Sequence, residues 1–159
     1  MHRALFYAVP LLLAAVGCVA QSSSAACHLD DERQIVIRFN PVTSKAEKPV
    51  NGRPWTPGGA PMTLFTDTQL TFAGVTIPIG AYTVYPIPAK EKWSLAVNKN
   101  VKSGSAYDEK DDLVRAAIET DQVPQAADTL EVAFAHYGSK CTLRIVFGKV
   151  ATFADFTAK

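Results

Sequence analysis

The chain has 159 residues and a formal net charge of +1, enough for one domain and short of two comfortable ones. So even a balance, with no cluster of Lys or Arg along any segment, excludes the electrostatic footprint of a nucleic-acid-binding protein. Ten prolines and nine glycines lie scattered between short alternating runs, which favours an all-β domain.

His2-Arg3 and the apolar run 4–16 read as a secretory signal peptide, because the run is too short to span a bilayer. Two cleavage readings are open. Ala15-Val16-Gly17-Cys18 resembles a bacterial lipobox, in which Cys18 is lipidated and begins the mature chain, although Ala stands where Leu is preferred. The other reading is ordinary cleavage after Ala20 or Ala26. The lipobox is the preferred reading. It divides the chain into a leader 1–18, a tether and lead-in 19–33, and a single domain 34–157, with 19–26 (VAQSSSAA) as the flexible part. Cys27 and Cys141 stay in the mature chain under either cleavage. An exported compartment permits a bridge between them, worth about 4–5 kcal/mol in the loop-entropy model; two unpaired thiols are the alternative.

The first strand is 34–40 (QIVIRFN), with Ile35, Ile37 and Phe39 on one face and Pro41 ending it. Residues 41–61 are rich in proline, glycine and lysine and form a long excursion. Strand character returns at 62–66 and 70–73, and 75–77 leads into a central antiparallel meander. Within that meander 81–87 (AYTVYPI) carries apolar bulk on both faces, so it is expected to be covered on both. Pro86 and Pro88 lack a donor, so pairing is expected to fail on one side there. Trp93, Leu95 and Val97 alternate against Ser94, Ala96 and Asn98, and Trp93 reads as core.

Residues 100–112 turn polar. Next, 113–119 (LVRAAIE) is ambiguous, since its alanines suit a helix while its alternation suits a strand; the surroundings decide for strand. Residues 121–128 read as a loop around Pro124, 129–136 and 141–147 as a hairpin about Gly138-Ser139-Lys140, and the tail keeps Phe153 and Phe156 to cover an edge. The whole is expected to be an all-β antiparallel sandwich of about eight short strands behind an N-terminal signal segment.

Candidate chemistry is sparse. His28 and His136 are the histidines left after export, and neither has a partner named by spacing. No nucleophile-elbow, zinc-protease or phosphate-loop motif is present, so no cofactor is expected. The acidic run 108–112 lacks the calcium-loop pattern and carries Lys110 inside it, so it reads as a solvated turn and no metal is expected. Trp55, in a Pro/Gly loop, either rims a pocket or pins the loop onto the sandwich, the second carrying more weight. The candidate binding residues are therefore Trp55, Tyr107, Asp108 and His136, on a surface made of the 50–61 loop and the 107–112 turn.

Four segments carry a family resemblance: 64–73 followed by GVTIPIGAYTVYPIP (74–88), then WSLAVNK (93–99), YDEKDDLVR (107–115), and 143–147. In their order and spacing, from Gly52 to Phe156, the chain resembles the bacterial exported family known as DUF2911, a domain of unknown function. The resemblance implies a leader and a β-rich fold, and it offers no activity to carry over. Where the family has a Trp-Arg-Thr-Gly-Ala-Asn-Glu-like segment, this chain reads Trp55-Thr56-Pro57-Gly58-Gly59-Ala60-Pro61, without the Arg, Asn and Glu.

The expectation is thus an exported cell-envelope protein: a non-catalytic binding or structural module whose partner is a ligand or an envelope protein. It touches a membrane only through an N-terminal lipid anchor, or is periplasmic or secreted if conventionally cleaved. The alternatives are a hydrolase whose site assembles only in three dimensions, or a carbohydrate-binding module by analogy of fold.

Overall fold

A strand whose alternate side chains are apolar has one oily face, and a sheet of such strands needs a second layer to cover it. The computed structural model, which describes residues 22–159, meets that need with ten strands. They are β1 (Ser23–His28), β2 (Gln34–Phe39), β3 (Met62–Thr66), β4 (Leu70–Phe72), β5 (Val75–Ile77), β6 (Gly80–Ile87), β7 (Ser94–Asn98), β8 (Asp112–Ala117), β9 (Glu119–Tyr137) and β10 (Lys140–Ala158). All pairings are antiparallel, in a six-stranded sheet ordered β1-β2-β3-β6-β7-β8 and a four-stranded sheet ordered β5-β4-β10-β9.

The predicted faces meet between the layers. Ile35, Ile37, Leu64, Leu95 and Val97 from the first sheet and Leu70, Leu143, Ile145 and Phe156 from the second are fully buried in one cluster. Each such side chain contributes about 1.5–3 kcal/mol of burial. Cys27 on β1 and Cys141 on β10 are also buried there and form a disulfide across the layers, with Cα atoms 6.2 Å apart.

Several expectations change. The leader 1–18, with Cys18, lies outside the described residues. Ser23–His28, assigned in part to the tether, is instead a strand paired along its length with β2, so the folded unit begins before residue 34. The serines and alanines that suggest a flexible spacer are tolerated because alternate positions of this edge strand face solvent. The central stretch is not one meander. β4 and β5 form a hairpin in the four-stranded sheet, while β6 crosses to pair with β3.

The strands are not all short either, since β9 and β10 have 19 residues each. β9 runs through 121–128, the stretch read as a loop, and Pro124 is admissible because β9 lies at a sheet edge. Pairing slips there, with shifts between Val146, Gly148 and Val150, and Gly148 sits at φ +58 as a bulge requires. The extra β9 residues are caught from the other side, where Leu130 N donates to the Val42 carbonyl and Ser44 N to that of Asp128, both at 2.8 Å. Finally, the tail does not cover an edge. It completes β10, an inner strand, and Phe156 packs against Phe72 in the core with ring centroids 5.1 Å apart.

The bridge closes a loop spanning 114 residues. A Cys27→Ala/Cys141→Ala chain is expected to lose about 2–5 kcal/mol in urea unfolding. Reducing agent should lower the midpoint of the parent to that of the variant; equal stability with and without reductant would show that the bridge contributes nothing.

Candidate functional site

The alternation that sends Met62, Leu64, Tyr82 and Val84 inward sends Thr63, Thr83 and Tyr85 to the outer face of the six-stranded sheet. These three floor a cleft of about 500 Å³. One wall comes from the 50–61 loop, through Pro54, Thr56 and 59–61, and the other from 101–107. Of the two stretches singled out from sequence, 50–61 supplies one wall and 107–112 contributes only Tyr107 to the other.

The first wall is held by a gap in the sheet. β3 pairs with β6 only as far as Val84, and the β6 edge beyond is open to the loop. The N–H and C=O of one strand residue point to the same side, so the missing donors of Pro86 and Pro88 fall on this edge and pairing with β7 is intact. Their carbonyls remain available. Trp55 N donates to Pro86 and Gly52 N to Pro88, both at 2.8 Å.

The Trp55 side chain is buried at 7% exposure, edge-on to Trp93 at 6.2 Å and tilted on Phe147 at 4.7 Å. The half-buried Glu47 takes both loop donors: Trp55 Nε1 donates to Oε2 and Gly58 N to Oε1, each at 2.9 Å. Gly58 holds φ +65, and a Cβ there would stand 2.7 Å from Asn40 Cβ, so this turn requires glycine.

The second wall hangs from Asn98, which is 1% exposed at the end of β7. Its Nδ2 donates to the Asp108 carbonyl and to Asp112 Oδ1, and its Oδ1 accepts from Asn100 N, all at 2.9 Å. Thr83 Oγ1 donates to the Asn100 carbonyl at 2.9 Å, and Lys99 N to that of Asp111 at 2.8 Å, closing the loop base. Tyr107 lays its ring edge-on to Tyr85 at 4.9 Å and donates from its hydroxyl to Asp112 Oδ2 at 2.5 Å. Tyr85, Ile87, Ala96 and Tyr107 make a small second core on the outer face, so β6 is covered on both sides as its sequence indicates.

Of the residues named from sequence, Tyr107 lines the cleft. Trp55 lies buried beneath one wall. Asp108 caps a single 3-10 turn (Glu109–Asp111), its Oδ1 accepting from Lys110 N at 3.0 Å. His136 is exposed beside the β9–β10 turn, its Nε2 2.6 Å from the Gly138 carbonyl, and does not line the cleft. His28 is exposed on β1. Sequence reasoning passes over Glu47, Asn98 and the Thr63/Thr83/Tyr85 floor. For Asn98 a signal exists, a polar side chain closing an apolar alternation just before a polar loop. For Glu47 none does, because its partners are reached only through the fold.

Chemically the cleft offers hydroxyls, from Thr56, Thr63, Tyr85, Ser103 and Ser105, with Lys102 as the charged residue of its lining. No carboxylate or imidazole lines it, and its titratable groups are Lys102 and the Tyr85 and Tyr107 phenols. Among the described residues no group of three His, Cys, Asp or Glu side chains converges as a metal site.

Fold and cleft together define a disulfide-bridged β-sandwich with a hydroxyl-lined cleft on an outer sheet face. The chain belongs to the family described as Protein of unknown function (DUF2911), which it matches over residues 31–154. Comparison with curated proteins and with solved structures finds no match.

Burial, and then the hydrogen bond and negative charge of Asp112, push the Tyr107 phenol above the ordinary tyrosine value of 10.0. The fold favours the neutral phenol, so this stabilisation is fully present below that value and is lost as pH rises toward the folded pKa. In alkaline spectrophotometric titration Tyr107 is expected among the late-ionising tyrosines, with Tyr82, which burial also raises. Tyr107→Phe should remove one late component and flatten the alkaline fall in stability; a titration unchanged by the substitution would refute the Asp112 contact. Separately, Glu47→Ala is expected to cost about 1–3 kcal/mol and to speed amide exchange at Trp55 and Gly58. Exchange there at the parent rate would show that Glu47 does not brace the wall.

Proposed function

We propose that this protein is a non-catalytic binding module of the bacterial cell envelope, with the cleft between the 50–61 and 101–107 loops as its ligand site. One observation carries the reading. The cleft is walled by two loops pinned to the sheet and lined by hydrogen-bonding groups, with no carboxylate or imidazole among them. Its volume falls within the range of about 300–1,000 Å³ usual for ligand pockets. Walls already held in place leave less ordering to be done on binding. Export, with a lipid at Cys18 or conventional cleavage, is part of the proposal; the leader-like sequence and the Cys27–Cys141 bridge favour it, since disulfides persist in oxidising compartments. The hydrolase alternative needs two titratable groups converging on one cavity. The cleft lining holds Lys102, the unbonded Tyr85 phenol and the Tyr107 phenol bonded to Asp112, with no carboxylate or imidazole among them, and His136 stands elsewhere.

Ser103→Trp on the exposed loop fills the cleft without touching the core. In ligand-observed NMR with a small-molecule fragment library, fragments that bind the full chain are expected to be lost on the variant. Neither protein should turn over chromogenic esters, phosphates or glycosides. Turnover by the parent that Ser103→Trp abolishes would overturn the non-catalytic reading, and fragment binding indifferent to the variant would overturn the choice of site.

A further inference from the structure

The geometry points to a saccharide, a neutral polyhydroxylated chain, as the ligand of the cleft. This inference rests on the proposal that the cleft is a ligand site.

Its starting point is Tyr85. The residue as a whole is 3% exposed, and a tyrosine packed so deeply commonly bonds its hydroxyl to the protein. Two other tyrosines here do: Tyr82 donates to the Pro78 carbonyl at 2.8 Å and Tyr107 to Asp112. Tyr85 lines the cleft, and no hydrogen bond within the described residues uses its hydroxyl; the one buried side-chain polar atom left unpaired there is Thr71 Oγ1, so the Tyr85 hydroxyl opens to the cavity. It is a donor and acceptor held at the floor of a cavity and left for something that enters.

The rest of the lining narrows the class. A hydroxyl both donates and accepts and turns to suit its partner. Tyr85, Thr63, Ser103 and Ser105 therefore place such groups on the floor and one wall, a set that matches the vicinal hydroxyls of a sugar. A phosphorylated ligand calls for several cationic or charge-assisted donors, and Lys102 is the one cation in the lining. A cationic ligand calls for carboxylates, and none lines the cleft. A proline-rich peptide calls for an exposed aromatic groove. Here the Tyr85 ring is covered, with Tyr107 set against it at an interplanar angle of 67°. What remains is recognition by neutral hydroxyls, with Pro54 and Pro61 giving apolar contact to the carbon faces of the sugar.

The test uses the full chain, nitrogen-labelled, titrated by NMR to millimolar levels with cellotetraose, maltotetraose and chitotetraose, and in parallel with a proline-rich peptide and with inorganic phosphate. At least one saccharide is expected to shift the amides of Thr63, Thr83, Ser103 and Ser105. Tyr85→Phe, which keeps the ring and its packing, should weaken that binding by about five- to tenfold. No response to any saccharide, or saccharide binding that Tyr85→Phe leaves unchanged, overturns the inference. If the peptide or phosphate alone shifts these same amides, the saccharide class falls and the cleft stands as the ligand site. If a saccharide shifts amides elsewhere and not these, both fall.

Discussion

The cleft exists because β3 stops short of β6. Beyond Val84 the β6 edge has no strand beside it, and prolines at positions 86 and 88 leave carbonyls there without the donors that would invite another strand. A sheet edge with acceptors only is completed by a chain segment that offers isolated donors, and Gly52 and Trp55 supply them. The loop can approach because Trp55 fits between Trp93 and Phe147. One local gap in hydrogen bonding thus sets where the wall stands, which outer side chains it leaves open, and how large the cavity between them is.

The two walls are braced by the same device, a polar side chain that spends its hydrogen bonds on the backbone or ring of a loop. Glu47 does so for one wall and Asn98 for the other. Such bonds are each worth about 1 kcal/mol or slightly more in net stability, but they choose one loop conformation among many. Carboxylates at Asp108 and Asp112 are consumed in the same way, which explains why an acidic run in the sequence contributes no acidity to the cleft. The chemistry left facing the cavity is that of unspent hydroxyls, and the functional reading follows from this residue.

Family membership and covalent structure meet at the N-terminus. The match to the family covers 31–154, so β1 and its Cys27 lie outside it. β1 nonetheless extends the six-stranded sheet, and its disulfide ties that edge to β10 in the other layer. The bridge fastens the two layers at a point remote in sequence from both cleft loops; in the sequence, cysteine parity joined to the leader reading pointed to it, with two unpaired thiols as the alternative.

Period-two alternation by itself determined the class of fold and most of the core, since a side chain's face is set by its own strand: Ile35, Leu95, Leu143 and Ile145 are buried as their runs require. It likewise marked β6 as covered on both sides, while the missing donors of Pro86 and Pro88 marked that end as unpaired on one side. It left open which strands are neighbours, because pairing depends on contacts between distant segments; hence β4–β5 in the second sheet, β1 in place of a tether, and a β9 that continues through Pro124 at an edge. Of the cleft, the 50–61 loop and Tyr107 were marked in the sequence, while 101–106 and the floor were not. That the two walls stand on either side of Tyr85, with Glu47 and Asn98 behind them, was decided by the tertiary structure, because a hydrogen bond between segments is specified by where the sheets carry its ends and not by the residues adjoining it in the chain.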